Sequence, residues 1–330
     1  MNCINPLVGI PYWHQNGSFR YKVIKGAKKY FDDDSCSSLS SRLSLPVCRD
    51  PMGNIAHALL LPCGHCMACR LEYSRQWALR MCLERIHHDK ENCWFLTLTY
   101  DDSHLPKTEK GVSTCRIQDV SDFMKRLRAY YSDTHNLDGI RFYAASEYGD
   151  HTFRPHYHLI LYGCPVADLQ PSEKFGLPAG YFCSKLLNRL WSFGNVMIGQ
   201  LTFESAAYVS RYVTKKLSGN LYIEKYQKFG IEKESSRMSR NPGIGAFFFD
   251  PDIYGDIEKA VGPGRIFKRC AAFDRYMKGC DLDKMSKLKA EARKIVDLRL
   301  RSDPCSRLWI DKLEADEQAL VENFSKKGIF

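Results

Sequence analysis

The 330-residue sequence has no apolar run approaching the roughly 18 residues that a membrane-spanning helix requires, so a membrane partner is not expected. Its start, Met1-Asn2-Cys3-Ile4-Asn5-Pro6, has no basic segment followed by an apolar stretch, so a secretory leader is not expected either. There is no internal repeat, no glycine fingerprint of dinucleotide binding and no Walker phosphate loop. The last absence removes the usual engine for unwinding duplex DNA. What remains is a globular chain expected in the cytosol. Its 44% hydrophobic and 26% charged residues are ordinary for a soluble protein and too apolar for a disordered one. Forty-eight Lys and Arg against 38 Asp and Glu give a net charge of +10, which suits either a polyanionic partner or a merely solvated basic surface. Fourteen cysteines in an unsecreted chain point to thiols, a metal site or both.

Three regions are expected: an irregular, Cys-rich region over 1–90, a core over 91–220, and a loop-rich then helical region over 221–330. Ser35–Ser41 is a polar loop, and Leu71–Arg85 is rich in helix formers. Arg70, Arg75, Arg80 and Arg85 step about 140° around that helix, which spreads them over a mostly solvated surface. In the core, Trp94–Tyr100 alternates as a half-buried strand. A helix follows over Gln118–Tyr131, with Val120, Phe123, Met124, Leu127 and Tyr131 at helical spacing. Strands at Ile140–Glu147 and His156–Tyr162, a helix at Ser184–Trp191, a strand at Val196–Thr202 and a helix at Glu204–Leu217 complete the pattern. This order predicts an α+β fold on an antiparallel sheet with flanking helices. Glycines and prolines punctuate 219–264, and Lys284–Lys327 has the composition of a charged helix.

Two constellations carry chemistry. In Arg154-Pro155-His156-Tyr157-His158, strand alternation puts both imidazoles on one face and Tyr157, Leu159 and Leu161 on the core side. Two such histidines can ligate a divalent cation, with Glu147 on the preceding strand as the third ligand, or they can be ordinary hydrogen-bonded strand histidines. In Tyr208-Val209-Ser210-Arg211-Tyr212-Val213-Thr214-Lys215, Tyr212 falls about 40° and Lys215 about −20° from Tyr208 around the helix, one face holding two phenols a turn apart and a lysine. Amphipathic tyrosines snorkelling beside lysines would look the same. Together, a metal that polarises phosphate oxygens and a cation beside a phenol make attack on a phosphodiester feasible.

Phe95–Tyr100, Ser146–Gly149, Arg154–His158, Phe203–Lys216, Met238–Gly245 and Leu61–Arg70, in order over about residues 60–245, resemble the HUH endonucleases. The likeness is to the replication initiators of microviruses, on the gokushovirus branch that includes chlamydiaphages. The resemblance implies an HUH-type core of RRM- or ferredoxin-like topology. It implies nicking of the phage plus strand at the origin through a 5′-phosphotyrosine, and later rejoining of the ends to circularise progeny single strands. Tyr208, Tyr212 and Lys215 take the catalytic positions, His156 and His158 the metal positions with Glu147 as third ligand, and Mg²⁺ or Mn²⁺ is the expected ion. The implied partners are single-stranded and nicked double-stranded origin DNA with a host polymerase and helicase, in the bacterial cytoplasm. A two-tyrosine transposase or relaxase, a non-catalytic zinc-stapled DNA-binding protein and a nucleotide hydrolase are the competing readings.

Cys63, Cys66 and Cys69 are spaced to wrap a structural Zn²⁺, with Cys3, Cys48 or His65 as fourth ligand, or to remain reduced thiols. Arg237, Arg240, Arg265, Lys268 and Arg269 lie near Phe247, Phe248, Phe249 and Phe267, a mixture suited to single-stranded DNA, although a phenylalanine run is more often core.

Overall fold

The segments Leu7–Trp13 (β1) and Phe19–Ile24 (β2) pair across a turn at Asn16-Gly17, where Gly17 takes a φ of 73°. They belong to a computed structural model that describes residues 3, 6–25, 48–49, 55–56, 59–149, 152–176, 178–212, 226–248 and 272. The chain divides into two units, residues 1–73 with 281–330, and residues 74–280. In the first unit, Cys48–Arg49 (β3) pairs with Ile55–Ala56 (β4), and Leu59–Leu61 (β5) joins β1 in a three-stranded sheet ordered β2-β1-β5. The region expected to be irregular over 1–90 therefore contains a sheet. The signal was the alternation of Phe19, Tyr21 and Val23 with Arg20 and Lys22 after an Asn-Gly turn. Ser35–Ser41 lies outside the described residues.

Met67–Ile86 (α1) crosses the division at residue 73, and the second unit continues with Trp94–Thr99 (β6), Ile117–His135 (α2), Arg141–Tyr148 (β7), Pro155–Tyr162 (β8), Gln170–Pro171 (β9), Phe182–Cys183 (β10), Lys185–Trp191 (α3), Val196–Gln200 (β11), Phe203–Tyr212 (α4) and Ser236–Met238 (β12). The strands form one seven-stranded sheet ordered β12-β7-β8-β6-β11-β10-β9, antiparallel throughout. Its register fixes the two faces. Leu96, Leu98, Tyr157, Leu159, Leu161 and Ile198 pack with the buried stripe of α2 and with Leu187 and Trp191 of α3. The Trp191 indole N–H donates to the Thr99 carbonyl at 2.9 Å, so even the largest buried side chain there has its polar atom satisfied. Asn136 ends α2 in a left-handed cap, its N–H donating back to Ser132 and Tyr131. On the opposite face Phe95, Tyr143, Ile160 and Tyr162 are buried, Tyr162 donating to the Met81 carbonyl of α1 at 3.0 Å. Helix α4 packs on β7 and β8, and its buried Ser210 hydroxyl meets that of Ser74 at 2.7 Å. The α+β class and the strand and helix order expected over 91–212 are those observed.

Three expectations are corrected. The four arginines of α1 are all half-buried rather than solvated, because the helix is covered on more than one side. Arg80 stacks on Trp77 at 4.3 Å and donates to the Ile244 carbonyl at 2.8 Å. Residues beyond 220 are not only an accessory: β12 extends the core sheet as an edge strand on β7, so the division at 90 and 220 differs from the unit 74–280. Phe247 is 39% exposed and stacks on His87 at 4.0 Å, whereas Phe249, Phe267, Arg265, Lys268, Arg269 and Lys284–Lys327 lie outside the described residues.

The return of residues 239–248 onto α1 demands glycine at 245. A Cβ there would stand 2.6 Å from the Arg80 carbonyl oxygen, at a φ of 70°. The Gly245 N–H donates at 2.6 Å to the fully buried Glu84 carboxylate, which also pairs with Arg141. Burial opposes that charge, but hydrogen bonds from His88, Gly245 and Arg141 outweigh it and hold the Glu84 carboxyl below the usual carboxylate range. Because its folded pKa is depressed, Glu84 contributes stability that is fully present above the unfolded carboxylate pKa and is lost as pH falls through the folded one. Glu84→Ala, which strands Arg141, should cost about 3–5 kcal/mol in urea unfolding at neutral pH, with a smaller penalty in acid. Equal penalties at both pH values would refute this role for the charge.

Candidate active site

The site is built where three neighbouring strands share a face. Pairing of β7, β8 and β6 sets Glu147 opposite His156 opposite Thr99, and one row along Ala145 opposite His158 opposite Thr97. The carboxylate is thus brought to the histidines by sheet register, and the connection over 149–154 only has to let the chain reverse. Glu147 Oε2 lies 3.0 Å from His156 Nε2 and 2.9 Å from His158 Nε2. The carboxylate and His158 are nearly fully buried, while the His156 side chain keeps 22% of its exposure. The three ligating atoms lie within 4.8 Å of one another.

The far sides of the rings are also anchored. His156 Nδ1 is 3.2 Å from the Arg154 carbonyl, which can only accept, so that nitrogen carries a proton. His158 Nδ1 is 3.3 Å from the Thr97 hydroxyl, which can accept a proton in the same way. Both Nε2 atoms then point inward beside a carboxylate, the tautomer a metal-binding histidine needs. Burial opposes the charge on Glu147, but hydrogen bonds from the two imidazoles, reinforced by their charge, hold its carboxyl well below the usual carboxylate range. Two imidazole nitrogens and one ionised oxygen, oriented from behind and converging on one point, fit a divalent cation, Mn²⁺ better than Mg²⁺ because nitrogen dominates the set.

Helix α4 delivers Tyr208 beside this group. Val209 and Ser210 are buried, Tyr208 is 39% exposed, and its ring meets those of His158 at 5.0 Å and Phe95 at 6.2 Å, both edge-to-face. An open cleft of about 720 Å³ runs past it, lined by Thr97, His158, Tyr181, Gln200, Tyr208 and Arg211 among others. The Arg211 guanidinium carbon is 6.0 Å from the Tyr208 ring centroid. Sequence reasoning passed over Arg211 and Tyr181; the one signal for Arg211 was a cation three residues from a tyrosine on the same helix. Tyr212 is the last described residue of α4, its side chain falls outside the described residues, and so does Lys215. Arg237 and Arg240 are exposed, on and just after β12.

In the first unit Cys63, Cys66 and Cys69 are joined by Cys3, with all four Sγ atoms within 4.8 Å of one another. Of the three fourth partners considered, Cys3 is the one in this group. His65 instead donates its backbone N–H to Cys63 Sγ at 3.4 Å, and the Cys48 side chain is outside the described residues.

Comparison with known proteins sets these geometries in context. A family model for the replication-associated protein ORF2 family matches residues 93–217, the span holding Glu147, both histidines and both tyrosines. The chain is 33% identical over 275 residues to replication-associated protein ORF2 of Spiroplasma virus 4, covering 81% of this chain and 84% of that protein. It is 35% identical over 166 residues to replication-associated protein VP4 of Bdellovibrio phage phiMH2K, covering 48% of this chain and 49% of that one. With replication-associated protein ORF4 of Chlamydia phage 1 it shares 31% identity over 193 residues, 57% of this chain and 46% of the other. No solved structure matches the chain. Among the described residues, no helix is long and apolar enough to cross a membrane.

Proposed function

Because this chain belongs to the replication-associated proteins of the microviruses, we propose that it is an HUH-type, tyrosine-nucleophile DNA nickase and strand-joining enzyme that initiates rolling-circle replication. The observation that carries the reading is the Tyr208 phenol ring 5.0 Å from the His158 ring, beside a buried carboxylate shared by two histidines on the adjacent strand.

A divalent cation held by Glu147, His156 and His158 would polarise the non-bridging oxygens of a bound phosphate. The chain's own groups do the rest. The Tyr208 phenolic oxygen attacks phosphorus, forming an O–P bond. The bond from phosphorus to the 3′ oxygen breaks, the 3′ oxygen takes a proton and departs as a hydroxyl, and the phenolic proton passes to water. The product is a 5′-phosphotyrosine and a 3′-OH that primes a host polymerase. Arg211, beside the Tyr208 ring, is placed to offset the charge developing on phosphate, a part that Lys215 shares in the sequence reading. Tyr181, exposed on the cleft wall, offers a stacking surface for a base of single-stranded DNA. Tyr212, one helical turn after Tyr208, serves as second nucleophile: it cleaves the regenerated origin, and the released 3′-OH attacks the first phosphotyrosine to close the circle. Duplex unwinding falls to a host helicase.

Incubation with plus-strand fragments and Mn²⁺ should yield a covalent protein–DNA adduct on denaturing gels that EDTA prevents. Folded, DNA-binding protein that forms no adduct on any fragment would instead favour a non-catalytic DNA-binding role. Turnover of free nucleotides without an adduct would favour a hydrolase.

A further inference from the structure

We propose that Cys3, Cys63, Cys66 and Cys69 form a structural zinc site that holds the amino-terminal sheet together, a site separate from the cation centre at Glu147. The sheet itself assembles it. Strands β1 and β5 pair with Leu7 opposite Leu61 and Val8 opposite Leu60, and continuing that register past the strand ends brings Cys3 beside the segment between Cys63 and Cys66. Cys66 stands immediately before α1 and Cys69 lies in its first turn, so two of the four sulfurs are carried by one helix start. Its Arg70 N–H donates to the Cys66 carbonyl at 3.0 Å, which fixes that turn.

The spacing of the sulfurs decides what they can hold. Cys63 Sγ to Cys69 Sγ is 4.0 Å and Cys66 Sγ to Cys3 Sγ is 3.9 Å. A disulfide needs about 2.05 Å. A tetrahedral ion with Zn–S bonds of about 2.3 Å has sulfur–sulfur edges of about 3.8 Å. The four atoms are therefore spaced as the corners of a tetrahedron around zinc. Backbone amides already offset charge on the thiolates: the N–H groups of His65 and Cys66 donate to Cys63 Sγ at 3.4 and 3.3 Å, and that of Cys63 donates to Cys3 Sγ at 3.3 Å. Such N–H···S bonds stabilise charge on a metal-bound sulfur and orient it. An all-thiolate set rejects Mg²⁺, Ca²⁺ and Mn²⁺, which prefer oxygen, and four protein ligands leave no open position for catalysis. The role is thus structural. The three-stranded sheet is small, and a cross-link between residue 3 and residues 63–69 supplies the closure that a limited core does not.

The test uses the full chain purified without chelators. Elemental analysis should find about one zinc per chain. Mercurial titration should release that zinc into a chromogenic chelator as the thiols are consumed. Cys3→Ser and Cys63→Ser should each retain zinc at least about tenfold less well against the chelator. Cys183→Ser and the His156→Ala/His158→Ala pair should keep it, which separates this ion from the histidine centre. Should the cysteine variants misfold, replacement of zinc by Co²⁺ in the unaltered chain should give the strong thiolate-to-cobalt charge-transfer absorption of a tetrahedral site. Zinc retained in full by both cysteine variants, a wild-type chain without zinc or a thiolate–cobalt band, or iron in place of zinc would each overturn the proposal.

Discussion

Replacing Tyr208 and Tyr212 together by phenylalanine should lower plus-strand cleavage by about 10⁴-fold or more and abolish the covalent adduct, because no other group replaces a missing nucleophile. Phenylalanine keeps what the Tyr208 ring contributes to packing, its edge contacts with His158 and Phe95, so the fold and the melting temperature should hardly change. Binding to origin DNA should persist within about twofold, since affinity comes mainly from phosphate contacts that the phenols do not supply. The single Tyr208→Phe variant is more informative about sequence of events. If Tyr208 fires first, the first cut is lost and little adduct forms; if Tyr212 does, the first adduct forms and the second cleavage fails, so circles do not close. Adduct formed by the double variant would remove the tyrosine mechanism altogether.

Glu147→Gln should weaken Mn²⁺ binding by about 10²-fold and lower cleavage at least as much, with partial rescue at high Mn²⁺. The substitution preserves shape and one oxygen but removes the charge that two imidazoles converge upon at 2.9 and 3.0 Å. His158→Ala should be worse, because it removes a ligand together with the ring against which Tyr208 rests, so nucleophile and ion site are damaged at once. Isothermal titration with Mn²⁺ beside the gel assay separates the effects: Glu147→Gln should lose activity in step with affinity, whereas His158→Ala should stay inactive at saturating ion. Unchanged affinity in Glu147→Gln would leave the two histidines as ordinary hydrogen-bonded strand residues.

Much of this site is legible in sequence because period-two alternation over the middle strands is strong. His156 and His158 had to share a face once Tyr157, Leu159 and Leu161 took the core, and Glu147 could be proposed because a short connection returns the chain beside His156. Local pattern does not encode register, so the direct Glu147–His156 pairing only becomes definite through the ladder of β7 and β8. The same limit left Cys3 as one of three candidates. Nothing in the spacing of Cys63, Cys66 and Cys69 selects a fourth ligand sixty residues earlier; the pairing of β1 with β5 does. Strand β1 was obscured by Gly9 and Pro11, which read as breakers, and β12 is three residues long, too short to show a period. Burial of the α1 arginines followed from the return of residues 239–248, a tertiary event that helix geometry alone does not announce.

The two rims of the large sheet carry one last consequence. One rim is the two-residue β9, which includes Pro171, and the other is the three-residue β12, which carries the exposed Arg237. A proline withholds an amide, and a short charged strand offers few groups for an incoming chain to grip. Concentrated copies of this protein should therefore resist adding to one another strand by strand, and the rims work as built-in brakes on aggregation.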